Sequence, residues 1–201
     1  MPKKGFLIGF CLCLCALISL SADQVKRKMI NVVKGAPSTY KVTVTDVEVY
    51  NGTDWILLFS GSSQLDLVAN PGSFPSIDSI TLPSGTYSQL RVTFLNSFVM
   101  KGSLDYGGTT YYTTSTTVND DTGSAASPTG PAQECTVRDS AWGDLGANVV
   151  KTWDIGPITV TADTDYEPIL TFDVSQTLII FSSGGTIIFL HDSPEPSIQE
   201  D

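Results

Sequence analysis

The stretch VTVTDVEVYNGTDWILLF, residues 42–59, decides the fold. Val42 and Val44 share one parity, whereas Val47 and Val49 share the other. Side chains alternate between the two faces of a strand, so an unbroken strand would split these four valines between opposite faces. One extra residue near Thr45-Asp46, a β-bulge, turns all four toward a single core face. Asn51-Gly52 follows, a pair that accepts positive φ cheaply, and WILLF then returns as a second strand. This reads as an antiparallel hairpin with one apolar side.

Outward from that hairpin the same texture recurs. No long helical period occurs, and short alternating runs are separated by turn residues, with further hairpin signals at Gly107-Gly108 and Gly184-Gly185. Strands are expected near 29–33, 40–50, 55–59, 65–68, 86–95, 97–104, 109–118, 157–162, 168–174, 177–182 and 186–190. The pattern predicts an all-β protein, an antiparallel β-sandwich in a single domain over residues 23–201. Residues 119–150 break it: they are rich in small residues, Pro and Asp, and read as a long loop insertion.

In TLPSGTYSQLRVTF, residues 81–94, Leu90, Val92 and Phe94 alternate strictly, which sets Arg91 on the opposite face. Tyr87 lies three residues before Leu90, so either a bulge near Ser88-Gln89 brings it inward or it shares the outer face with Arg91. Arg91 itself reads as a surface or sheet-edge cation paired with an acid, and becomes a ligand-binding residue only if a pocket lies beside it.

Residues 1–22 have the composition of a signal segment: Lys3 and Lys4, the apolar run GFLIGFCLCLCALISL, then Ser21 and Ala22. The alternative is an uncleaved anchor, marginally short for a span and followed by Lys26, Arg27 and Lys28. Phe10, Leu12 and Leu14 precede Cys11, Cys13 and Cys15, where lipid attachment would want a small residue, so lipoprotein anchoring is unsupported. An exported protein is expected, in the periplasm, at the cell surface or outside the cell. After cleavage Cys135 alone remains of the four cysteines, leaving a free thiol or an intermolecular disulfide.

The formal net charge is −10, from 11 basic and 21 acidic side chains, and the basic ones crowd toward the start: beyond residue 41 only Arg91, Lys101, Arg138 and Lys151 are basic. An acidic body of this kind argues against nucleic acid and against anionic membrane surfaces. Contact with a membrane is expected only through an uncleaved leader.

Catalytic sets are hard to assemble. The one histidine, His191, stands beside Asp192 and no Gly-x-Ser-x-Gly elbow occurs, so serine-hydrolase chemistry has no support. One histidine and one mature cysteine do not make a zinc site. Calcium needs only oxygens, and two stretches offer them: Asp163, Asp165 and Glu167 in TADTDYEP, and Asp120 and Asp121 with Asp139 and Asp144 in the long loop. The expectation is a protein without catalysis and without a required cofactor, calcium being the one cation its loops suit. A sugar platform needs flat aromatic faces, and the candidates are Trp142, Tyr106, Tyr111, Tyr112 and Trp153, with Trp55 and Trp153 otherwise filling the core. Tyr111 and Tyr112 are adjacent, so only one can face a given side of a strand.

The phrases VEVYNGTDW (47–55), LDLV (65–68), LPSGTYSQLRV (82–92) and LTFDVSQTLII (170–180) occur in an order and spacing that resembles a bacterial family of secreted proteins, domain of unknown function 4382. The resemblance spans roughly residues 30–190. It implies a prealbumin-like or carbohydrate-binding-module-like β-sandwich and brings no assigned activity. The chain departs from the family in having GAP at 35–37 and in the stretch 119–150. Two functions follow as expectations: an envelope module acting through protein contacts, or a carbohydrate-binding module using Trp142 and the tyrosines, with or without calcium.

Overall fold

The computed structural model describes residues 32–70, 82–119, 123–139, 146–161 and 168–200, of which 168–170 and 197–200 by their backbone alone. Residues 1–22, for which a signal segment is expected, lie outside the described residues. Within them the chain forms fifteen strands and no helix, hence no helix long and apolar enough to cross a membrane. The strands make several largely antiparallel sheets packed together over a main core and a smaller second cluster, the sandwich that the alternating runs predict.

The larger sheet is built on β2 (Thr39–Tyr50). On one side β2 pairs with β3 (Trp55–Asp66), on the other with β4 (Gly85–Leu95) and then β5 (Phe98–Lys101). The expected bulge is present: Val44 pairs with Phe94, the next ladder position is Asp46 with Thr93, and Thr45 is the residue left over. Its hydroxyl donates to the Thr93 carbonyl at 3.3 Å. Val42, Val44, Val47 and Val49 are consequently all buried, at 3 % exposure or less. Removing Thr45 would restore strict alternation across Val42, Val44, Val47 and Val49 without moving any of them off the core face. Such a variant is expected to fold, with an unchanged circular dichroism spectrum and a cooperative urea transition.

β4 and β5 are one line of chain broken at Asn96, whose side chain is fully buried. Its Nδ2 donates to the Asp139 carbonyl and its Oδ1 accepts from the Asp139 amide, both at 2.9 Å. At this break the sheet forks: β4 pairs with β11 (Asn148–Val160), and β5 with β10 (Cys135–Arg138), which runs parallel to β8 (Thr117–Asn119). The stretch 119–150 is therefore not a plain loop, since β10 and the start of β11 lie in it. β10 is four residues long, and the inward side chains of β11 include Lys151 beside Val149 and Trp153, so neither shows a clean apolar alternation.

Tyr87 faces inward, but not through a bulge of its own strand near Ser88-Gln89. It is 2 % exposed and donates from its hydroxyl to the Pro83 carbonyl at 2.7 Å. The irregularity sits opposite: Gln89 pairs with Asp154 and Tyr87 with Ile158, so the extra residues belong to β11.

The smaller sheet runs β1 (Val33–Gly35), β13 (Leu178–Ser183), β14 (Thr186–His191) and β9 (Ser124–Ala125). Gly184 and Gly185 join β13 to β14 with φ of 58° and 86°, the doubly positive turn that suits two twisted strands. Leu178, Ile180 and Phe189 enter the main core, while Ile179, Phe181, Ile188 and Leu190 form a second buried cluster. Both faces of this hairpin are covered, which explains why LII and IIF run on without polar interruption. Two ribbons complete the structure: β12 (Pro168–Asp173) with β15 (Glu195–Glu200), and β6 (Ser103–Tyr106) with β7 (Thr109–Tyr112).

Where the sheets meet, the lone histidine is a packing residue. His191 is 9 % exposed and its ring stacks on Phe98 at 4.7 Å, while the Tyr40 hydroxyl lies 3.1 Å from Nδ1 and donates to the Asp192 carbonyl at 3.2 Å. Burial, with Asp192 and Asp139 adding to it, pushes the Tyr40 phenol far above its ordinary range, so it acts as a permanent donor.

Candidate functional site

The outer face of the larger sheet can be read directly from its register. Across β3, β2, β4 and β11, three rows of outward side chains line up: Trp55, Tyr50, Gln89 and Asp154; then Leu57, Glu48, Arg91 and Thr152; then Ser60, Asp46, Thr93 and Val150. On β2, β4 and β11 these positions alternate with core residues, and on β3 a second irregularity at Leu58 lets Leu57 and Ser60 share the outer face.

Most of the polar members are paired across strands. Arg91 donates from Nε to Glu48 Oε2 at 2.6 Å and from Nη2 to Oε1 at 2.5 Å, a bidentate pair whose side chains are 29 % and 19 % exposed. Ser60 donates to Asp46 at 2.8 Å, and Gln89 to Asp154 at 2.9 Å. The Arg91 guanidinium also lies 4.1 Å from the Trp55 ring centroid, and Trp55 packs at 5.2 Å against Tyr50 with a tilt of 42°. The hydrogen bonds to Glu48 raise the Arg91 pKa above its ordinary value, so it stays cationic. Arg91 is thus the centre of an internal clamp of carboxylate below and indole above, and the surface-cation reading of the sequence describes it.

A double-mutant cycle gives the strength of that clamp. Glu48→Gln and Arg91→Met each remove one end, and urea unfolding of the two single variants and their combination is expected to show a coupling of about 1–2 kcal/mol, above that of a fully exposed pair. The coupling should shrink in high salt, since both groups retain contact with solvent.

Around this polar centre the lattice carries exposed aliphatic side chains. Leu57 is 55 % exposed and Val150 is 58 % exposed, on β3 and β11 respectively. Trp55 and Tyr50 are half-buried beside Leu57. Trp55 therefore does not fill the core, contrary to its expected place, whereas Trp153 packs against it with Phe94 at 6.3 Å and Phe172 at 6.4 Å. The signal for Trp55 was present in the sequence: a hairpin closed at Asn51-Gly52 sets Trp55 opposite Tyr50, and Tyr50 shares parity with Glu48, away from the valines.

Of the expected sugar platform, the three tyrosines of the β6–β7 ribbon fall within the described residues. Leu104 pairs with Tyr111, and Leu104, Tyr106 and Tyr111 all pack partly buried against the main core. Tyr112, adjacent in the strand, takes the other side with Ser103. No ring contact joins Tyr106, Tyr111 and Tyr112 among the described residues. Trp142 lies outside the described residues, as do Asp120, Asp121, Asp144, Asp163, Asp165 and Glu167 of the calcium candidates. Among the described residues no group of three His, Cys, Asp or Glu side chains could hold a metal ion.

Cys135 belongs to β10 rather than to a loop. It is fully buried opposite Met100, and burial pushes its thiol up to about 11, with a bond to Ser124 only partly offsetting the effect. At neutral pH the side chain is an inert thiol, and an intermolecular disulfide would require β10 to open.

Comparison of the chain with known proteins finds no matching family model, no matching curated protein and no matching solved structure.

Proposed function

We propose that this protein is an exported, non-catalytic module of the cell envelope that meets a protein partner with the outer face of its larger sheet. The observation that carries this reading is the exposure of Leu57 and Val150 on a face whose polar members are already paired with one another. A flat surface with satisfied polar groups costs little to desolvate, and aliphatic side chains at its margins gain from being covered. The leader and the resemblance to a secreted family both favour an envelope setting.

The second reading, a carbohydrate-binding module, has one observation in its favour, the Tyr50–Trp55 ring pair on the same face. Against it, the Arg91 guanidinium occupies one face of the indole, and the pair is tilted rather than coplanar.

The test is photo-crosslinking in producing cells, with a photoreactive residue at Leu57, at Val150 or, as control, at the exposed Thr109 on the β6–β7 hairpin. A discrete protein adduct shared by positions 57 and 150 and missing at 109 is the expected result. Adducts at 57 no different from those at 109 would sink the protein-contact reading. Binding of a defined polysaccharide by the purified chain, lost on Trp55→Ala, would replace it with the sugar reading.

A further inference from the structure

The hairpin that carries Tyr50 and Trp55 is closed by Asn51 and Gly52, and its geometry has a chemical consequence. The Asn51 amide donates to the Asp54 carbonyl at 3.1 Å, and the Asn51 side-chain Oδ1 accepts from the amides of Thr53 at 2.9 Å and Asp54 at 2.8 Å. These bonds hold the side-chain oxygen over the turn, and by covalent connectivity Cγ of Asn51 and the backbone nitrogen of Gly52 are the two atoms that close a five-membered ring. Two N–H groups on Oδ1 draw electron density from Cγ and would steady the negative charge that builds on that oxygen during attack, the arrangement of an oxyanion hole. Gly52 is exposed, has φ of +93°, and an added Cβ would meet nothing within 4 Å, so the turn is open on that side of the residue. The Tyr50 hydroxyl reaches the Gly52 carbonyl at 3.0 Å, which ties the turn to the aromatic pair.

We propose that Asn51-Gly52 is a self-modifying site whose conversion regulates the outer face of the larger sheet. The Gly52 nitrogen gives its proton to solvent and bonds to Asn51 Cγ. The bond from Cγ to the side-chain nitrogen breaks, and that nitrogen takes up a proton and leaves as ammonia. Water then opens the resulting cyclic imide at one carbonyl or the other, giving aspartate or isoaspartate with no change in oxidation state. Aspartate keeps an acceptor for the Thr53 and Asp54 amides and adds a negative charge beside Asp54. Isoaspartate routes the main chain through the β-carbon, lengthens the turn and pulls Tyr50 and Trp55 out of register. Either product alters the margin that Trp55 and Leu57 present, so the regulatory part of the inference rests on the protein-contact reading, whereas the chemistry does not.

The experiment has two arms with separate readouts. In the first, the purified chain is aged folded in mildly alkaline buffer and, in parallel, unfolded in urea, then digested and mapped by mass, with isoaspartate detected by enzymatic methylation. The expected result is an amide-to-acid mass gain in the folded chain, confined to the peptide holding Asn51 and absent from those holding Asn70, Asn96, Asn119 and Asn148. Asn51→Gln, which cannot close the small ring, should remove it. A folded chain that stays unchanged while the unfolded one converts would overturn the site, because the turn would then be protective. In the second arm, Asn51→Asp enters the Leu57 crosslinking assay. A several-fold change in adduct yield supports regulation, and an unchanged yield overturns it while leaving the binding face intact. Absence of any adduct from the parent chain refutes the binding face, and with it the regulatory claim, without touching the conversion read in the first arm.

Discussion

Val47→Asp is expected to leave the chain unfolded in buffer, with a circular dichroism spectrum lacking the strand signal and no cooperative urea transition. Val47 has no measurable exposure and packs in the main core with Val42, Val44 and Val49. The substitution removes about 1.5–3 kcal/mol of apolar burial. It also sets a carboxylate where burial raises the pKa by up to about 3–5 units, each unit costing about 1.4 kcal/mol at a pH where the group would otherwise be charged. The sum, roughly 5–10 kcal/mol, is of the order of the whole stability of a small domain, about 5–15 kcal/mol. The sign with pH follows: a folded-state pKa above the unfolded value favours the folded state at low pH, so any residual structure should grow as pH falls toward the ordinary carboxylate range and vanish above it. Glu48→Val, one residue away, tests the same geometry from the other side. Glu48 is on the outer lattice, so this variant should fold and lose only the Arg91 pair. If Val47→Asp were mild and Glu48→Val severe, Thr45 would not be the bulge residue and the strand would have the opposite phase.

Such a contrast can be drawn because parity was the most legible feature of the sequence. Two pairs of valines out of phase over eight residues have one economical solution, and the structure adopts it at Thr45. Turn chemistry was equally readable: Gly107-Gly108 and Gly184-Gly185 close the hairpins expected of them, both pairs with positive φ. Strands were missed where packing replaced pattern. β10 is a four-residue segment held by pairing on both sides, and β11 admits Lys151 on its inward side because that chain reaches Ser193. β15 starts within SPEP, with Pro194 just before it and Pro196 as its second residue, and shows no apolar run. None of these carries an alternation long enough to be told from loop.

The outer face was half legible. That Arg91 faces away from Leu90, Val92 and Phe94 follows from alternation, but that Glu48 is its partner needs the register between β2 and β4, which no local pattern supplies. The facing of the tyrosines was illegible for a related reason. Composition marks Tyr106 and Tyr111 only as aromatic, whereas their side of the β6–β7 ribbon is set by Leu104, which needs the core. Exposure of Leu57 and Val150 is a property of the assembled sheet, since both stand in runs that also hold core residues.

Phe189→Ala is expected to cost about 3–5 kcal/mol, the range for deleting a buried aromatic ring that its surroundings cannot refill. Phe189 is the largest fully buried side chain of the smaller sheet, and its strand is held on both sides, by Ile180 of β13 and Ser124 of β9. Backbone hydrogen bonds on two flanks keep β14 from sliding into the space left behind, so little of the cavity should close. The larger sheet offers no slack either, because Tyr40, Val42 and Met100 in the same core have no measurable exposure of their own beyond 1 %. A loss of this size lowers the melting temperature by about 6–20 °C in a domain of this length. Phe189→Leu, which keeps most of the volume, should recover the larger part. The comparison also bears on the architecture: Phe189 belongs to the cluster shared by both sheets, whereas its neighbour Leu190 belongs to the second cluster on the far side of β14. Leu190→Ala should therefore cost less than Phe189→Ala, and steepen neither the urea nor the thermal transition. Equal losses from the two would mean that the far cluster is as tightly enclosed as the main core, and that β13–β14 is the middle layer of the molecule.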